Sequence, residues 1–146
     1  MTEFDIQRAL FAHFVTLNER SGTEFLHTDG EGRLTNVHFP NVPFTPPDSK
    51  RWFALSLTSS RPSDVAVMDG TQSRIDGVLY IDIITPQDAG EDECETKYRW
   101  IARLFNGKEI GDVDITRVYV STRGNEADHY RLQAAVEWTA DIDKET

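Results

Sequence analysis

Apolar residues at Ile6, Leu10, Phe14 and Leu17 recur at spacings of four, four and three, which is one stripe of a 3.6-residue period. That stripe predicts an amphipathic helix at the N-terminus. Thr2 and Asp5 stand at capping-box spacing, with Asp in place of the usual Glu, and Asn18 to Gly22 closes the helix with polar and Gly residues. Residues 23–50 lose the periodicity and carry Gly30 and Gly32, then Pro40, Pro43, Pro46 and Pro47. Proline fixes φ and removes a backbone donor, so this run is extended and is not a central strand. Its interleaved Phe39, Val42 and Phe44 predict packing on the body of the protein, because a free linker has no use for such residues.

The period then changes to two. Phe53, Leu55 and Leu57 share one face of a strand from Trp52 to Thr58. Ser59 to Arg74 reads as a long polar loop with Pro62, Gly70 and an apolar island from Val65 to Met68. Ile75 to Ile84 is nearly continuous in apolar residues, with Asp82 the exception, and predicts a central strand covered on both sides. Pro86 ends it. A second helix follows from Glu91 to Phe105, with Cys94, Tyr98, Ile101, Ala102 and Phe105 on one stripe, acidic residues in its first turn and Asn106-Gly107 as its stop. Two strands complete the chain, Val113 to Thr122 and Tyr130 to Ala140, joined by a turn at Gly124-Asn125. In the last strand Tyr130, Leu132, Ala134, Val136 and Trp138 alternate with Arg131, Gln133, Glu137 and Thr139, giving one covered face and one wet or partner-facing face.

The order is helix, Pro-rich segment, strand, strand, helix, strand, strand. A lone helix between the second and third strands returns the chain, so those two strands are expected to lie parallel through a right-handed crossover, with antiparallel pairs on either side. The expected fold is α+β: one domain over residues 1–146, with a mixed four-stranded sheet and two helices packed on one face, in the order α-β-β-α-β-β. Asp141 to Thr146 is expected to form a frayed charged tail.

Composition narrows the class. A chain of 146 residues, 38% hydrophobic and 27% charged, is globular and has room for one core. Acidic residues outnumber basic ones 25 to 15, for a formal charge of −10, which argues against binding nucleic acid or an anionic membrane. The single cysteine cannot pair within the chain. The N-terminus does not read as a signal peptide, because Arg8 and His13 interrupt its apolar positions, and no apolar run approaches the ~20 residues of a membrane span. A soluble, cytosolic, acidic protein is expected.

Candidate chemistry is sparse. His13, His27, His38 and His129 fall at no metal-ligand spacing, and no phosphate-binding loop is present. Cys94 lies between Glu93 and Glu95, which oppose a reactive thiolate and favour a core role on the helix face. The acidic run Glu91 to Glu95 reads as a solvated helix start, and Asp29-Gly30-Glu31-Gly32 lacks the later ligands of a calcium loop. Pro40, Pro43 and Pro46 formally match a PxxP ligand. Asp82 is the best single candidate for a catalytic carboxylate, although a strand-end salt bridge explains it equally well. No cofactor or metal is expected.

One stretch is more specific. Phe39-Pro40-Asn41-Val42-Pro43-Phe44-Thr45-Pro46-Pro47 follows an N-terminal amphipathic helix and precedes a short spacer and the strand Trp52-Phe53-Ala54-Leu55-Ser56-Leu57. Then come Gly77-Val78-Leu79-Tyr80-Ile81-Asp82-Ile83 and a helix ending in Phe105-Asn106-Gly107. This arrangement resembles the tail terminator proteins of long-tailed bacteriophages, the minor tail protein U type, over essentially the whole chain. The family motif rests on Pro40, Asn41, Pro43, Phe44, Pro46, Pro47 and Trp52. The 59–74 segment departs from it, since relatives often carry a Gly-rich, less charged stretch there.

The resemblance implies a non-enzymatic assembly protein of the virion tail, built in the bacterial host cytoplasm. It would form a hexameric ring that caps the tail tube, stops its polymerisation and meets a head-connector or neck protein, while DNA passes through without specific binding. Six copies at −10 carry a formal −60, which would repel DNA phosphates from a channel. A ring needs two different patches on each subunit. Candidates for the subunit or tube interface are Arg61, Asp64, Val65, Val67, Met68 and Arg74 in the 59–74 loop, Arg131, Gln133 and Glu137 on the last strand, and the Pro-rich segment. Two rival readings are a head–tail neck or completion protein, and a small α+β enzyme or ligand-binding domain using Asp82 and a histidine in a pocket between helix and sheet.

Overall fold

The computed structural model describes residues 3–59 and 72–143. The N-terminal helix α1 spans Glu3–Phe14, and a second short helix, α2, spans Leu17–Ser21. The break falls at Thr16, whose amide bonds back three residues to His13 O (3.1 Å) while its hydroxyl donates to the same carbonyl (2.7 Å). Ile6, Leu10, Phe14 and Leu17 are all fully buried despite the break. Gly22, at φ 71°, supplies the left-handed residue that ends α2. Thr2, one half of the expected capping box, lies outside the described residues.

The strands are β1 (Val37–His38), β2 (Trp52–Ser59), β3 (Gln72–Pro86), β4 (Glu109–Ile110), β5 (Val113–Glu126) and β6 (His129–Asp143), with helix α3 (Gly90–Phe105) between β3 and β4. They form one sheet of order β1-β2-β3-β6-β5-β4, in which β1 pairs parallel to β2 and every other pair is antiparallel.

This corrects the expected four-stranded sheet in three ways. Two-residue strands β1 and β4 add an edge on each side, and both are too short to leave a periodic signal. The helical segment expected to be single is two helices, so three α-helices are present among the described residues. The largest difference is that β3 does not pair with β5: β6 stands between them and matches β3 residue for residue from Gln72↔Asp143 to Pro86↔His129. The crossover rule assumes that strands joined by a helix become neighbours, and here the β5–β6 hairpin folds back so that its second strand takes the central place. The side chains favour that outcome. Ala134, Ala135 and Val136 make β6 buried on both faces at mid-strand, whereas β5 carries exposed Arg117 and Thr122 and two register shifts, features of a strand near an edge.

Boundaries moved too. Gly124 and Asn125 remain paired in β5, opposite Arg131 and Tyr130, and the connection is the two residues Ala127-Asp128. Gln87 Nε2 donates to Ala127 O (2.6 Å) and holds this connection from the α3 side. Strand β3 begins at Gln72, so Arg74 belongs to a strand, and β6 continues to Asp143 through part of the expected tail. The remaining tail residues 144–146 lie outside the described part.

One core forms between the helices and the covered face of the sheet. It contains Ile6, Leu10, Phe14 and Leu17 from α1 and α2, Cys94, Ile101, Leu104 and Phe105 from α3, and the odd-numbered apolar residues of β2 and β3 with the even-numbered ones of β6. Fully burying a side chain of this kind contributes about 1.5–3 kcal/mol. Residues 22–36 have almost no regular structure and are fastened by two asparagines. Asn18 exchanges two 2.8 Å hydrogen bonds with the Leu26 backbone. Buried Asn36 donates to Phe25 O (2.9 Å) and accepts from His27 N (2.8 Å).

Candidate functional site: the outer sheet face

With α1, α2 and α3 all on one side, no second layer covers the other side of the sheet among the described residues. That outer face displays Trp52, Ala54, Ser56 and Thr58 from β2, Asp76 to Ile84 at even positions from β3, and Arg131 to Thr139 at odd positions from β6. The expectation that β3 is covered on both sides therefore fails for Val78, Tyr80 and Asp82, which are half-buried. Ile84 alone among them is fully buried, in register between Trp52 and Arg131.

The face is organised in rows set by the register. Ala135 sits in register between Tyr80 and Tyr119 and is fully buried. One row away, Glu137 Oε1 accepts from Arg117 Nη2 at 3.0 Å, and the Arg117 guanidinium lies 4.2 Å above the Tyr119 ring. On the other side of the tyrosines, Asp82 accepts from Gln133 Nε2 at 2.9 Å and lies 3.7 Å from Arg131, which is also 3.7 Å from Glu126. Arg74 faces Asp141 across β3 and β6, 4.0 Å apart. The structure thus brings Arg131, Gln133 and Glu137 onto one face and places Arg74 at its far end. Arg61, Asp64, Val65, Val67 and Met68 lie outside the described residues.

The Pro-rich segment closes one corner of this face. Asn41 adopts φ 60°, a left-handed turn residue between Pro40 and Val42. Phe39 packs on Phe11, with ring centroids 5.5 Å apart, and Phe44 stacks on His38 at 4.9 Å. A chain of aromatic contacts runs on from Phe44 to Trp52 (6.2 Å) and from Trp52 to His129 (6.0 Å). Pro46, Pro47, Lys50, Trp52 and His129 line an open hollow of roughly 410 Å³. Val42 departs from the expected packing: it is 52% exposed. Pro43 is exposed as well, between the two anchoring phenylalanines.

The alternative chemistries find little geometry. Asp82 faces outward, whereas His13 bonds Leu104 O at 2.7 Å on the helix side, so the sheet separates them. His38 shares the outer face with Asp82 but lies two strands away, and His129 sits 3.4 Å from both Glu126 and Asp128. Its Nε2 is buried and lacks the alignment of a hydrogen bond to Glu126. Cys94 is fully buried beside Thr85 (3.4 Å), and burial, with smaller contributions from Glu93 and Glu95, pushes its thiol up, away from reactivity. The acidic run is partly consumed by bases, since Glu93 binds Arg51 (2.9 Å) and Lys97 (3.2 Å) and Glu95 binds Arg123. Asp29 accepts backbone hydrogen bonds from Glu31 (2.8 Å) and Arg33 (3.0 Å), which hold its carboxyl below the usual range and identify Asp29-Gly30-Glu31-Gly32 as a turn. Among the described residues no group of His, Cys, Asp and Glu side chains could hold a metal ion, and no helix is long and apolar enough to cross a membrane.

The phage tail terminator protein family matches residues 5–139. The chain belongs to that family. This terminator is therefore a structural protein of a phage tail, a component of the virion tail that works among tail and head parts. A solved structure of 17% identity superposes with a TM-score of 0.61, over 92% of this chain and 94% of that one, and is alike in fold. No protein of curated function matches the chain. Of the residues on the outer face, the alternation of β6 singled out Arg131, Gln133 and Glu137 in the sequence. Sequence reasoning missed Tyr80, Arg117 and Tyr119, because their meeting over β6 follows from a strand order that no local pattern encodes.

Proposed function

We propose that six copies of this terminator form a ring on the end of the tail tube, stop its polymerisation and present the surface that the head connector joins. The observation that carries this reading is the family match along nearly the whole chain, 5–139. The outer face supports it. A sheet face left without a second layer by the described residues, carrying tyrosines on either side of a buried alanine and a grid of paired charges, is suited to docking against another subunit or the tube. Arg74, Arg131, Gln133 and Glu137 belong to that contact. The formal charge of −10 per copy keeps DNA from adhering as it passes.

The test is addition of the purified chain to polymerising tube protein of its own phage. Tubes shorten and carry a ring at one end if the reading is correct. Tubes of unaltered length and bare ends at excess chain overturn it.

A further inference from the structure

On the helix side, away from the outer face, Arg20 at the end of α2, Arg103 in the last turn of α3 and Lys108 just beyond it converge on a hollow of roughly 180 Å³ floored by Trp100 and Leu104. The Arg103 guanidinium stacks on the Trp100 ring at 4.8 Å, which fixes its orientation. None of the ion pairs among the described residues involves any of these three cations. In a chain with an excess of acids, three converging bases without a carboxylate partner among the described residues form a surface suited to negative charge.

The same layer supplies that charge at its other end. Asp88, in the turn just before α3, and Glu91 and Asp92 in its first turn are exposed and take no part in an ion pair among the described residues, unlike Glu93 and Glu95. Lys50 exerts only a minor pull on Asp88. The two clusters lie at opposite ends of α3, a helix of 16 residues and about 24 Å. A ring demands a heterologous contact, with one patch on each subunit meeting a different patch on the next. Two clusters of opposite sign near the two ends of one helix, neither in an ion pair among the described residues, meet that demand.

We propose that the basic hollow of Arg20, Arg103 and Lys108 docks the acidic start of α3, Asp88, Glu91 and Asp92, of a second copy of this chain, head to tail around the ring. The proposal rests on the ring reading above and names its contact. DNA phosphate is the less favoured occupant, because the net charge of the chain repels it before the hollow is reached.

Two variants test it, one with Arg20→Glu, Arg103→Glu and Lys108→Glu, the other with Asp88→Lys, Glu91→Lys and Asp92→Lys. All six positions are exposed, and circular dichroism confirms that each variant folds. Each alone is expected to lose tube capping, with self-association weakened about tenfold or more. Their equimolar mixture restores capping, since alternating copies again place opposite charges at every contact. A chain carrying all six reversals caps as the original does. If each variant alone caps as well as the original chain, the contact is wrong and the ring stands. If the original chain itself fails to cap, the ring reading falls, and sedimentation of the mixture at low salt judges the contact alone. Association of the two variants together but of neither alone upholds it, whereas no association, or recovery of the acid-reversed variant by double-stranded DNA in place of its partner, overturns it.

Discussion

Gly77 lies opposite Trp138 in the β3–β6 pair, and the hydrogen at its α-carbon leaves the room that the indole occupies. A Cβ there would come within 3.0 Å of Thr58 O and of two Trp138 ring carbons, closer than real Cβ contacts allow. The obstacle on one side is backbone and on the other a ring 2% exposed, so neither moves cheaply. Gly77→Ala is expected to destabilise the fold by about 1–3 kcal/mol, the usual range for forcing atoms into a filled core. A urea titration followed by tryptophan fluorescence reads this as a lower midpoint at constant slope. An unchanged midpoint would mean that Trp138 has another place to go. The sequence shows a glycine heading an apolar strand, but its reason is a tryptophan 61 positions later, which only the pairing reveals.

At the scale of elements, what was legible was what is local. The stripe Ile6, Leu10, Phe14, the helix closing at Phe105, and the alternation of β6 all declare themselves within a dozen residues, and each is in place. Strand order is not local. It depends on which hairpin strand buries both faces, and Ala135 reads as an ordinary small residue until Tyr80 and Tyr119 are seen on either side. The Pro-rich segment shows the same divide. Its proline spacing declares an extended run, but its attachment to the β5–β6 connection by Lys50 and Asp128, 2.8 Å apart, joins residues 78 positions distant. That pair sets a pH dependence. The Lys50 hydrogen bond, with help from His129, holds the Asp128 carboxyl below the usual carboxylate range. A carboxylate with a lowered value in the folded state contributes stability above its unfolded value and loses it as pH falls through the folded one. The tie is thus complete at neutral pH and is lost as pH falls through the lowered Asp128 value. NMR titration should give Asp128 a midpoint below the ordinary range, and Lys50→Gln should raise it. A midpoint indifferent to Lys50→Gln would show the pair to be loose in solution.

For the whole molecule, charge acts over two distances, and salt separates them. Subunits at −10 repel one another as bodies, across tens of ångströms, while the proposed contact joins opposite charges at a few ångströms. Screening reaches about 10 Å at 0.1 M ionic strength and about 3 Å at 1 M. Moderate salt therefore removes most of the repulsion and leaves the close pairs largely intact, whereas molar salt weakens those pairs as well. Ring formation on tubes should accordingly rise from low salt, pass through an optimum between about 0.1 and 1 M, and fall beyond it. Sedimentation of capped tubes across a sodium chloride series measures this directly. The acid-reversed and base-reversed variants sharpen the argument, because each carries a contact of like charges at every distance. For either of them added salt can only help, so the falling limb should vanish while the rising limb remains. A falling limb that persists in both variants would place the salt-sensitive attraction elsewhere on the subunit, and the outer face, with its Arg117–Glu137 and Arg131–Asp82 pairs, would be the first surface to examine.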